Sequence, residues 1–236
     1  MKLKEFLSVR AIEFDSVNIL ADPEGLPELQ RLGARSIPVL SRGDDWTFAQ
    51  NIGHVVKFLG LNENAGPVLS PSELIGRMDI FLSAAIRNIR LMPDSEMESQ
   101  APGRPRSFRV LSHHISRIVE TFLEVAEGAE LTHELISTGP SEDMATFVSI
   151  SAYGQTVLDR LRLFWAGKAD KTGKETVQTY YGPQSLHELM ERTTWHSGQH
   201  VRQWFMLLGM NGVIADQPLA NEAFAKLPMP SSVWDG

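Results

Sequence analysis

The rhythm of hydrophobic positions changes near residue 60. Before that point short segments of differing period follow one another. After it, apolar residues recur every three to four positions over long stretches, which is the helical period. Leu3, Phe6 and Leu7 mark a short helix over residues 2–9, and Ile12, Phe14, Val17 and Ile19 then read as an extended strand. Asp22 is placed to cap a helix running to Leu32, with Pro23 at its first position and Gly33 just past its end. Residues 37–40, a turn over 41–45 and Trp46-Thr47-Phe48 predict a β-hairpin. Residues 51–59 close the unit as a helix, with Val55, Phe58 and Leu59 apolar and Gly60 as a stop. Residues 1–62 therefore form a small α/β unit.

The stretch NENAGPVLSPS (62–72) holds Gly and two Pro with little periodicity, which places a linker at 63–70. Beyond it, helical patterns cover residues 72–92, 107–127, 141–166 and 184–209. A polar, Pro-rich break lies at 93–105, and an extended TVQTYY segment (176–181) ends at Gly182-Pro183. Four helices of roughly 20 residues with connected apolar stripes predict a four-helix bundle over 71–236. The fold class is α+β in two domains.

Composition narrows the function. With 42% hydrophobic and 22% charged residues, the 236-residue chain is globular rather than disordered. No apolar run reaches the ~18–20 residues of a membrane span. The opening MKLKEFLSVR lacks the apolar core of a secretory signal, so a cytoplasmic protein without a membrane partner is expected. A net charge of −7 argues against gripping nucleic acid. The absence of cysteine removes disulfides, thiolate-ligated metals and a cysteine nucleophile.

Among seven histidines, the informative pair is His196 and His200 in Thr193-Thr194-Trp195-His196-Ser197-Gly198-Gln199-His200. Side chains four apart on a helix sit one above the other, so both imidazoles can reach one ion. At ~100° per residue they point with Leu189, Thr193 and Leu207, while Glu188, Gln199 and Arg202 turn away. A buried imidazole needs partners for two nitrogens, which either a metal or hydrogen bonds to Thr or backbone can satisfy. The intervening residues hold no glutamate, so a zincin-type protease is not expected.

A third ligand has to come from another helix. His114 lies in line with Val110, Ile118 and Val125, whereas His113 turns toward Arg109 and Glu120 and is expected in solvent. His133, His187 and His54 read as surface or locally hydrogen-bonded residues. Three imidazoles leave a coordination position open, as catalytic metal sites do, and they suit zinc or nickel. No catalytic residue can be assigned. Tyr153, Trp195, Gln199 and Trp204 are candidates to line a pocket or to fill the core.

On Ser112-His113-His114-Ile115, on TTWHSGQHVRQW (193–204) and on the closing Pro218–Trp234 segment with LPMPSSVW, residues 71–236 resemble the DinB/YfiT-like family of metal-dependent four-helix-bundle proteins. The resemblance implies a divalent metal held by His114, His196 and His200. It also implies an enzyme activity drawn from a varied set: thiol-dependent transfer or isomerisation, or hydrolysis. Residues 1–60 are similar to a glutaredoxin or thioredoxin-like domain, with Ile37-Pro38 where that fold keeps its cis-proline. The chain starts at about that family's first helix and has no CxxC, so thiol–disulfide exchange is excluded. The resemblance implies a small-molecule substrate, for which a low-molecular-weight thiol is the candidate. A homodimer is expected, because the truncated unit exposes a sheet edge and proteins of the bundle family commonly pair. The competing readings are a non-catalytic metal-binding or scaffold protein and an interaction module built on the thioredoxin-like part.

Overall fold

Hydroxyl side chains open the long helices. The computed structural model describes residues 2–9, 12–19, 21–61, 66–101, 105–230 and 232–234. The chain divides into two units, Met1–Gly66 and Pro67–Gly236. Residues 62–65 of the expected linker and 102–104 of the expected break lie outside the described residues.

In the first unit, helix α1 (Lys2–Val9) and helix α2 (Gly25–Arg31) precede a hairpin of β1 (Val39–Arg42) and β2 (Asp45–Phe48), then helix α3 (Ile52–Leu59). The hairpin is antiparallel, with Val39 opposite Phe48 and Arg42 opposite Asp45. Its two-residue turn carries Gly43 at φ 63°, a conformation glycine adopts without steric penalty. Asn51 caps α3 by accepting from the Gly53 amide at 2.7 Å, and Gly60 ends it at φ 68°. The Ile37–Pro38 peptide bond is cis. Leu3, Leu7, Ala49 and Val55 form the core, with Phe6, Ile12, Leu40 and Leu59 against it.

Two expectations need correction here. Residues 12–19 form no strand. Among the described residues no neighbouring strand offers them a ladder, Ile12 folds back through its amide onto the Leu7 carbonyl at 3.1 Å, and Phe14 and Val17 are left exposed. Helix α2 starts at Gly25, because Asp22 spends its carboxylate on the Glu24 amide at 3.0 Å in a preceding turn.

The second unit is built on four long helices: α4 (Pro71–Ile89), α5 (Phe108–Ala126), α7 (Phe147–Gly167) and α8 (Leu186–Met210). A short helix α6 (His133–Ser137) follows α5, and a two-residue ladder of β3 (Thr176–Val177) and β4 (Gln184–Ser185) precedes α8. Ser70, Thr146 and Ser185 each form a reciprocal capping box with the residue three positions on, and Ser107 caps α5. Helices α4 and α5 each lie against both α7 and α8 and touch one another less, so they are diagonal in a four-membered ring. Phe81, Phe122, Phe147 and Trp204 fill its interior.

Helix α7 starts at residue 147 rather than 141. The Arg109 guanidinium donates to the carbonyls of Ser141 (2.7 Å) and Met144 (3.1 Å), drawing them sideways, and Asp94 accepts from the first helical amide, Phe147, at 2.8 Å. Residues 184–185, expected within the last helix, instead pair with β3. No helix among the described residues is long and apolar enough to cross a membrane.

Candidate metal centre

Two contacts set the register of α8 against its neighbours. Ser197 donates through Oγ to the Ile115 carbonyl of α5 at 3.2 Å. At Gly198 the helix approaches α4 so closely that an added Cβ would stand 2.7 Å from the Phe81 ring. Since Ser197 meets Ile115, the residues flanking them in sequence, His196 and His114, are brought face to face. His200 joins them from one turn further along α8. The ring centroids are 5.6 Å apart for His114–His196, 5.2 Å for His114–His200 and 4.9 Å for His196–His200.

One ring nitrogen from each histidine lies within 4.8 Å of the others. Three atoms so spaced share a central point no farther than about 2.8 Å from each, near the ~2.1 Å of a zinc–imidazole bond. His114, His196 and His200 can therefore hold one metal ion together. Two of the nitrogens are otherwise unexplained. His196 Nδ1 and His200 Nε2 are buried and have no hydrogen-bond partner, although both residues are partly exposed elsewhere. A buried polar atom without a partner is costly, and a metal ion is the partner this geometry fits.

The protonation state agrees. Burial, reinforced by the neighbouring His200, pushes His114 down to about 2. Burial and the same neighbour hold His196 well below its ordinary value. His200 is pushed by burial to about 4, partly offset by its bond to Gln203. All three imidazoles are thus neutral at pH 7, with no proton to displace before binding a cation.

Gln203 fixes the tautomer of His200. Its Nε2 donates to the Val233 carbonyl at 3.1 Å, which leaves Oε1 to accept from His200 Nδ1 at 2.6 Å. His200 Nδ1 then carries the hydrogen and Nε2 the free lone pair. Pro230 and residues 232–234 are in turn strapped along α8. Gln199 donates to the carbonyls of Ser232 and Val233, Arg202 donates to that of Pro230, and Trp234 Nε1 meets Met206 Sδ at 3.0 Å.

His113 departs from expectation. It is only 3% exposed, stacked on Tyr153 with centroids 4.8 Å apart, and burial pushes it to about 4. Its phase does turn it away from the triad, but α7 covers that side of α5. Tyr153 donates to Glu120 at 2.5 Å, and Glu120 and Glu124 hold the buried Arg117. Tyr153 thus belongs to this second polar cluster rather than to the metal centre. Trp204 is core, donating to the Asn88 carbonyl at 3.2 Å, whereas the Trp195 ring lies 5.6 Å from that of His196. The His133 ring packs tilted against that of Tyr180, and His187 Nε2 meets the Leu69 carbonyl at 2.7 Å.

A cavity of about 450 Å³ adjoins the centre, lined by His200, Gln203, Arg106, Trp234 and apolar residues including Phe108 and Leu207. Sequence reasoning passed over Gln203, Arg106 and Trp234. Gln203 was findable three residues after His200, on the same helix face. Arg106 and Trp234 sit outside the helices, where no periodicity marks them. No protein-family model and no curated protein matches the chain.

Proposed function

We propose that this protein is a divalent-metal-dependent enzyme with His114, His196 and His200 as metal ligands. The activity would fall in the range implied by the DinB-like resemblance: thiol-dependent transfer or isomerisation, or hydrolysis. The observation that carries this reading is the pair of buried, partnerless ring nitrogens of His196 and His200, two residues that cluster with His114 beside a cavity. The cavity favours an enzyme over a site that only stiffens the bundle, since a purely structural metal needs no adjoining space.

The protein's own contribution is orientation and exclusion. Gln203 aims the His200 lone pair, the Ser197–Ile115 contact holds α8 opposite His114, and Trp234 of the strap covers one side of the cavity. A bound ion would supply Lewis acidity. The charged groups acting on the three imidazoles are cationic, and no carboxylate among the described residues acts on them. That charge pattern favours a substrate already acidic enough to ionise near a cation, such as a thiol, over unassisted attack by water.

Zinc or nickel fits three imidazoles best. Purified protein should carry one ion per chain by elemental analysis. His114→Ala, His196→Ala and His200→Ala should each abolish retention, while His113→Ala should keep it. Unchanged metal content in the triad variants refutes the site. We further propose that the first unit is a thioredoxin-like remnant serving to brace or pair the chain, giving a homodimer. Light scattering that reads a monomer at micromolar concentration refutes the pairing.

A further inference from the structure

Arg106 is the only permanently charged side chain among the described residues lining the cavity beside His200. Several other arginines of this unit are engaged. Arg109 holds two carbonyls, Arg117 two glutamates and Arg162 the Asp79 carboxylate, and Arg192 accepts the company of Tyr180 and Tyr181. Arg106 has neither an ion pair nor a hydrogen bond among the described residues. The chain carries 29 acidic against 22 basic residues, and none of those described pairs with this guanidinium. Crowding by surrounding protein holds Arg106 below its ordinary range with nothing to offset it, although the side chain as a whole is exposed.

Its field reaches the metal centre. Arg106 acts on all three ligand histidines and Arg192 on His114 and His196, both in the direction that disfavours added positive charge. An uncompensated cation in a concave, largely apolar space is an anion-binding arrangement, because a planar guanidinium meets a carboxylate through two parallel hydrogen bonds.

We propose that the cavity binds a small organic carboxylate, its anionic group on Arg106 and its apolar body against Phe108, Leu207 and Trp234, so that the rest of the molecule lies beside His200. This names the substrate class for the metal centre and rests on that reading for the substrate's second contact. Arg106 is then the residue that selects charge, and the apolar wall selects the body that carries it.

The test is calorimetric titration of benzoate and of uncharged benzamide into wild-type protein and Arg106→Gln, each zinc-loaded and chelator-stripped. A guanidinium–carboxylate contact of this kind is worth about tenfold or more in affinity. Benzoate should bind wild type at least that much more tightly than Arg106→Gln, and benzamide should not distinguish them. Equal benzoate affinity for the two proteins, or no benzoate binding to wild type, overturns the proposal. Because Arg106 is exposed and holds none of the described residues, the variant keeps the fold, which its melting temperature verifies. Zinc counted in the same samples separates the two readings. Wild type without zinc but with Arg106-dependent benzoate binding refutes the metal centre and supports the anion site. One zinc per chain without that dependence does the reverse.

Discussion

Replacing Gly198 with alanine tests the packing that holds the metal ligands in register. A Cβ there would meet Phe81 Cε2 at 2.7 Å and Cδ2 and Cζ at 3.1 Å. Ordinary carbon contacts run ~3.5–4.0 Å, so the ring or the helix has to retreat by about 1 Å. Phe81 has little room to do so, being fully buried and stacked on Phe224 at 5.1 Å. Overpacking of this kind costs about 1–3 kcal/mol. Alanine returns about 1 kcal/mol of helix propensity, leaving a net loss of about 1 kcal/mol. Gly76→Ala is the control: it lies exposed in α4 with no atom within 4 Å of its added Cβ, so only the propensity gain remains. For a domain of this size 1 kcal/mol shifts the melting temperature by about 2–4 °C, so Gly198→Ala should melt about 3 °C lower than wild type and Gly76→Ala about 3 °C higher. Scanning calorimetry on chelator-stripped protein measures both. A Gly198→Ala melting point at or above that of Gly76→Ala would show that the α4–α8 approach is looser than described.

Two further outcomes follow from the buried imidazoles. The metal-free protein should lose stability as pH falls from about 6.5 toward 4. His113, His114, His196 and His200 stay neutral when folded, while the unfolded chain takes up protons below its ordinary histidine value. The unfolded state then binds more protons and stability rises with pH, by up to about 1.4 kcal/mol per pH unit for each histidine in that window; a urea midpoint flat between pH 7 and 5 contradicts this. Gln203→Leu removes the acceptor for His200 Nδ1 and should weaken metal binding about 10- to 100-fold in chelator competition, with Gln203→Glu restoring it; equal affinity in all three proteins would mean that Gln203 orients nothing.

Much of the bundle was legible because helical period and caps are local. The phase that set His114 with Val110 and Ile118 and set His196 with His200 is fixed by backbone geometry, and no distant contact can overrule it within a continuous helix. What phase cannot tell is what covers each face. His113 was expected in water because its neighbours Arg109 and Glu120 are charged, but Arg109 reaches backbone carbonyls and Glu120 receives Tyr153, so charged residues seal that face of α5 instead of solvating it. The strand expected over residues 12–19 failed for a similar reason. Alternating apolar residues fix which side of a ribbon is greasy, yet a strand exists only where another backbone pairs with it. The late start of α7 also depended on a long-range event, the capture of the Ser141 and Met144 carbonyls by Arg109. Arg106, Gln203 and Trp234 meet only in three dimensions, and the cavity they share has no one-dimensional signature.

The strap formed by Pro230 and residues 232–234 gives a segment outside the helices a say in coordination chemistry. The Val233 carbonyl decides which end of the Gln203 amide faces His200, and that end decides which imidazole nitrogen keeps its proton. Cleavage that removes Val233 would leave every ligand in place and still release the amide to flip, turning its NH₂ toward His200. The lone pair would then lose its fixed aim, and metal binding would weaken without any ligand being touched. A preparation that loses metal on storage should therefore first be weighed for the loss of the segment that carries Val233.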